Sequence, residues 1–276
     1  MLRYAFGGES MSTNRETVPE GGLKTWSPSI TPGIGVELDH EETLACAFRI
    51  LAGLGWSENI AGHITWDDRG DGSMLVNPWG LWWNEITAGD VCRVDRGANR
   101  LEGRWDVTPA IHIHTELHRR RPDARVVIHN HPPYATVLSA LGIIPGCYHQ
   151  TATMFDGDIV LVAEYTGEVD DPDKGAELAA QIGDAKVALL ANHGVLVTGA
   201  TMAEAVYRAA NFEQMCWLTT QLLMIDRDPS SIQPRLRPGM KASLLERGSE
   251  VFWAGAVRQL LNKEPQVLDR GGVNRG

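Results

Sequence analysis

The sequence predicts an α/β layered fold, and three observations carry that reading. Short β-branched and apolar runs alternate with segments of helical period. Two of the helical segments open on a Thr or Asp followed three residues later by Glu, a helix-start pattern. Gly, Asn and Asp turns separate the strand-like pieces between the first two helices. With 276 residues, 43% of them hydrophobic, the chain can bury a sizeable core, so one domain with irregular ends is expected.

Residues 1–37 mix Gly, Ser, Thr, Pro and charge without hydrophobic period, and a flexible N-terminal arm is expected there. No apolar stretch follows Arg3, so no targeting leader is expected. The main domain is placed at 38–225. Asp39 and Glu42 form a capping pair, and Leu44, Phe48, Leu51 and Ala52 share one stripe of a helix that runs to about Leu54, stopped by Gly53 and Gly55. The pieces HITW, MLVNP and DVCRVD then read as an antiparallel meander. Pro109 suits the first turn of a second helix, ending near Arg121. Strand RVVIH, helix YATVLSAL and strands AKVALL and GVLVTG complete the core. Thr201 and Glu204 form the second capping pair, opening a long helix through about Leu223. Residues 226–276 begin as a Pro, Ser and Arg linker and continue as an amphipathic helix near 241–262, carrying Leu245, Phe252, Trp253, Val257 and Leu260. That helix must dock on its own core or on a neighbouring subunit.

Composition excludes several classes of function. A net charge of −10 argues against nucleic acid or an anionic membrane as partner. No apolar run approaches the roughly 18 residues that a membrane span needs. Four cysteines lie far apart with no C-x-x-C pair, so neither a disulfide framework nor a cysteine-based zinc module is expected, and a reducing cytoplasm fits.

The chemistry lies in the histidines. In IHNHP, His129 and His131 stand two apart at the end of an apolar run, and the strand period turns both rings to one face. His193 ends a second such run, VALLANHGVLV, with Gly194 behind it. Three histidines with an open fourth position suit a catalytic metal better than a closed structural one. Each alone would also read as a hydrogen-bonded polar residue at a strand end.

The stretches RRRPDARVVIHNHPPYATVLSAL and ALLANHGVLVTGATMAEAVYRAANFEQMC, with AGHIT and VNPWG in order before them, resemble the signature segments of the class II aldolase/adducin family. The resemblance covers roughly residues 40–223. It implies a three-layer α/β/α domain with a central, mostly antiparallel sheet, often a homotetramer, whose metal is held by His129, His131 and His193.

Departures from the family's aldolases are as informative. Where those have Pro-Ser-Ser-Glu, with the glutamate as acid-base group, this chain has Val107-Thr108-Pro109-Ala110. Ala110 cannot move a proton. A Gly-Asn pair becomes Gly62-His63, and a Thr-Pro-Ser-Gly turn becomes Asn77-Pro78-Trp79-Gly80, which removes the small hydroxyl donors of a phosphate cradle. A phosphorylated sugar is therefore not the expected substrate. Trp79, Trp82, Trp83 and Tyr134 are instead candidates to line a pocket for an aromatic acid, although large aromatics in short strands also serve as core. Ala110, His114 and His118 fall on one helical face; the resemblance implies that this face lines the pocket, where His114 or His118, with His63, would supply the missing proton transfer, and a hydrogen-bonded helix histidine is the alternative. His112 is off that face.

The three metal histidines argue against a purely structural, adducin-like role. The whole chain, with its segment GGLKTWSPSITPG, is similar to the non-haem iron oxygenases of aminocoumarin antibiotic pathways, which convert a prenylated 4-hydroxyphenylpyruvate to the prenylated 4-hydroxybenzoate. The resemblance implies iron(II) and O2 acting on an aromatic 2-oxo or 2-hydroxy acid. Zinc or manganese would give non-oxidative decarboxylation or retro-aldol cleavage instead.

Overall fold

A computed structural model describes residues 28–271 except 165, 166 and 168. Most of the expected N-terminal arm, with Trp26, lies outside the described residues. Residues 28–38 follow the surface without regular structure.

Helix α1 (His40–Gly53) opens on the expected capping box: Asp39 accepts from the Glu42 amide while Glu42 accepts from the Asp39 amide. The meander follows as strands β1 (His63–Trp66), β2 (Met74–Val76), β3 (Cys92–Val94) and β4 (Arg100–Glu102). After a 3-10 turn at Pro109–Ile111 come α2 (His112–Arg120), β5 (Val126–Asn130) and α3 (Pro133–Leu141). The chain continues through β6 (Ile159–Val162), α4 (Pro172–Ile182), β7 (Val187–Leu190), β8 (Gly194–Gly199), α5 (Met202–Leu223) and α6 (Arg237–Lys263).

The strands form one sheet in the order β4-β3-β2-β1-β5-β8-β7-β6, in which only β6 and β7 run parallel. The expected three-layer α/β/α architecture is what the chain adopts. Strand alternation divides the core: Val126, Ile128, Val195 and Val197 face α1, α5 and α6, whereas Val127 and Leu196 face α2 and α4.

The structure adds to the sequence reading and corrects it. Strands β4 and β6 and helix α4 lie outside the segments read from the sequence; α4 supplies the crossover that a parallel pair requires. At α5, Thr201 accepts from the Glu204 amide, but Glu204 reaches one residue further back, to the Ala200 amide at 2.7 Å. Its other oxygen is held by Arg208, which fixes that reach. Helix α6 begins earlier than expected, because Pro238 fits its first turn. It docks on its own chain, burying Trp253, Val257 and Leu260 and setting Phe252 against Tyr207 of α5 at 5.3 Å between ring centroids.

Candidate metal centre and histidine chain

The central pairing β1-β5-β8 builds the site. His129 is the penultimate residue of β5, opposite His63 on β1 and Leu196 on β8. His131 stands just past the end of β5, and His193 sits in the tight turn joining β7 to β8. The turn needs Asn192 in the left-handed region, φ 55°. Gly194 then passes so close that a Cβ there would lie 2.5 Å from the Asn130 carbonyl and 2.6 Å from the His131 ring. As a result the three histidines converge: one ring nitrogen from each can be chosen so that all lie within 4.8 Å of one another.

Each ring has a cause for its orientation. The Nδ1 of His129 donates to the Val195 carbonyl at 3.1 Å, which leaves Nε2 as the lone-pair nitrogen. His131 Nδ1 lies 2.5 Å from Glu58 Oε2, and its Nε2 is buried without a protein partner. An orphaned ring nitrogen backed by a carboxylate is the arrangement of a metal-bound histidine. Burial, then the neighbouring rings, holds His129 well below the usual histidine range. Burial and His131 push His193 down to about 4, against the opposing pull of Glu58. Neutral imidazoles are the form that binds a cation, so the cluster can coordinate a divalent metal. Glu58 escaped the sequence reading, because only the fold carries the Ser57-Glu58-Asn59 loop to the end of β5.

Behind the cluster runs a second set of histidines. His63 lies 5.1 Å from His129 between ring centroids. Its Nδ1 is 2.5 Å from His114 Nε2; His114 Nδ1 is 2.7 Å from Thr65 Oγ1; and Thr65 Oγ1 is 2.8 Å from His118 Nε2. The spacing of four on α2 does turn His114 and His118 to one face, and that face meets β1. Burial drives His63 down to about 3, His118 to about 4, and His114 well below its ordinary range. Thr65, fully buried between the two helix histidines, is the member that the sequence reading missed.

The aromatic candidates divide. Trp83 is fully buried edge-on against Phe48, and its Nε1 donates to the Gly62 carbonyl at 3.3 Å, so it braces the turn before His63 and offers no surface to a ligand. Trp79 and Trp82 are about half exposed, at 53% and 48%. Tyr134 is half-buried, in a cleft of about 350 Å³ shared with Pro133, Glu213 and Trp217.

Comparison with known proteins agrees with this geometry. The profile of the class II aldolase and adducin N-terminal domain matches residues 42–220. The 3,4-dihydroxyphthalate decarboxylase of Arthrobacter keyseri is 32% identical, over 72% of this chain and 82% of its own. The 4-hydroxy-3-prenylphenylpyruvate oxygenase/4-hydroxy-3-prenylbenzoate synthase of Streptomyces roseochromogenus subsp. oscitans is 34% identical, over 62% of this chain and 64% of its own. An aldolase II superfamily protein from Pseudomonas syringae shares the fold, with a TM-score of 0.75 at 22% identity over 83% of this chain and 94% of that one. On the profile match and the shared fold, the chain belongs to the class II aldolase and adducin family.

Proposed function

We propose that the protein is a metal-dependent enzyme that breaks the carbon–carbon bond next to a carboxylate in a small aromatic acid. The observation that carries the reading is the convergence of His129, His131 and His193, in a chain that has Ala110 where the resemblance puts the sugar-phosphate aldolase glutamate. A divalent ion held there would supply Lewis acidity to a carboxylate and an adjacent oxygen, and iron(II) would add O2 chemistry. The protein's own part is to keep His129 and His193 neutral, to fix His131 through Glu58, and to hold His63 beside the cluster. Trp79 and Trp82 are the aromatic surfaces available to a substrate ring.

Two relatives support the substrate class, one named for decarboxylating a dihydroxyphthalate and one for forming a prenylated benzoate. The second supports an oxidative version of the reaction. Protein purified without chelator and loaded separately with zinc, manganese or iron(II) would be assayed for CO2 release from 3,4-dihydroxyphthalate and 4-hydroxyphenylpyruvate, in air and under argon. Metal-dependent CO2 release supports the reading; turnover that stops under argon assigns the oxidative version. Efficient cleavage of a ketose 1-phosphate, with no release of CO2 from either acid, would overturn it.

A further inference from the structure

Helix α3 begins two residues after His131 and has no cap of its own. Its N-cap, Pro132, offers no side-chain acceptor, and neither Pro132 nor Pro133 has an amide to satisfy. The Thr136 amide makes the first helical bond, to the Pro132 carbonyl at 2.9 Å. That leaves the amides of Tyr134 and Ala135, and Glu213 takes both: Oε1 accepts from Tyr134 at 2.8 Å and Oε2 from Ala135 at 2.9 Å. Glu213 belongs to α5, is 8% exposed and has no Lys or Arg partner among the described residues. Burying a carboxylate in this way is costly, and a Ser or Asp at position 132 would cap α3 without it. What the buried carboxylate adds is a tie between two helices.

The tie reaches the histidine cluster through a stiff link. Proline fixes φ at 132 and 133, and a residue followed by proline is confined in ψ, which restricts His131 and Pro132 as well. On its other side the His131 amide donates to Asn130 Oδ1 at 2.7 Å, and Asn130 pairs with Val195 of β8. Strand β8 starts beside His193 and leads directly into α5. Turning the start of α3 therefore turns His131 relative to His193. We infer that Glu213 is a positioning residue for the metal centre: by holding the first turn of α3 against α5 it sets His131, through Pro132 and Pro133, at the distance from His129 and His193 that a shared ion requires. The inference rests on the reading of these three histidines as ligands, on which the function proposed above also depends.

The test uses zinc and cobalt(II) as probes and needs no turnover. In Glu213→Gln one oxygen still accepts an amide, but the NH2 group faces the other N–H. The folded variant is expected to bind zinc about ten-fold more weakly in a chelator competition and to shift the visible absorption bands of bound cobalt(II), which report ligand geometry. A lower urea midpoint with wild-type zinc affinity and an unchanged cobalt spectrum would make Glu213 a helix cap only and overturn the inference. Loss of negative charge alone would weaken zinc equally in any background, so the change is repeated in Pro132→Ala, where the link is looser. There Glu213→Gln is expected to weaken zinc by less than about three-fold, and an undiminished loss overturns the route through the prolines. Should Glu213→Gln not fold, wild type decides, because by linkage zinc must hold the cap as firmly as the cap holds the zinc site. On zinc loading, hydrogen exchange at the Tyr134 and Ala135 amides is expected to slow about ten-fold more than exchange in β3, and equal slowing overturns the inference. Wild type that binds neither ion overturns the metal reading and this inference with it, whereas wild-type affinity in the folded variant overturns this inference alone.

Discussion

Acidification of the metal-free protein should unfold it well above the pH at which its carboxylates titrate. His63, His118 and His193 are pushed by burial to about 3, 4 and 4. Above a pH of about 6.5 the rings are neutral in both the folded and the unfolded chain, and nothing is lost. Below it the unfolded chain takes up protons that the fold refuses, so stability falls with pH until the folded values are reached. Between pH 7 and pH 5 each such ring costs about 2 kcal/mol, so three cost about 6 kcal/mol, a large part of the roughly 5–15 kcal/mol that a domain has. His114 and His129, also held low, act in the same direction. Glu213 opposes them. Burial lifts it to about 7, so the folded protein binds a proton before the unfolded chain does and recovers about 2 kcal/mol over the same interval. Urea unfolding followed by tryptophan fluorescence at pH 7 and pH 5 should show a large fall in midpoint. Glu213→Gln should steepen that fall. Equal midpoints at the two pH values would refute the claim that these rings are neutral and buried in the fold.

The remaining predictions concern the metal centre. His129→Ala, His131→Ala and His193→Ala should each lose stoichiometric divalent metal on elemental analysis, and a variant that keeps a full equivalent would remove its residue from the ligand set. Glu58→Gln should weaken zinc binding about 10- to 100-fold in a chelator competition while leaving the circular dichroism unchanged, because it removes the charge behind His131 and none of the ligand atoms. Gly194→Ala should cost about 1–3 kcal/mol in urea and weaken metal binding together, since its Cβ drives into the Asn130 carbonyl and the His131 ring. A normal metal affinity in that variant would show that the turn can relax without moving His131.

How far the sequence could be read depended on whether a signal was local. The α1 capping box, the meander turns and the two apolar runs ending in histidine each lie within a few residues, and each appears in the structure where its pattern placed it. Strand β6 is a four-residue run at the sheet edge, half-buried over three of its residues, too short to distinguish from a loop. Thr65 was hidden by its type, since a threonine in a β-branched strand looks like packing until the register sets it opposite His114 and His118. The tryptophans show the converse. Trp79, Trp82 and Trp83 are neighbours in sequence, yet Trp83 is in the core and the other two are on the surface, a split that composition cannot express.

The placement of Glu58 has a consequence for what the site can bind. In the cluster all three donors are imidazole rings, and the carboxylate beside it is spent on His131 Nδ1 and not on the ligand side. A divalent ion held by such a set would keep nearly its whole charge facing the open positions. Uncompensated charge in a largely buried site draws an anion, and a carboxylate chelating through a neighbouring oxygen meets that demand with two ligand atoms. On the function proposed above, that charge would favour an acid as substrate, and the neutral His63 beside it would leave the preference intact.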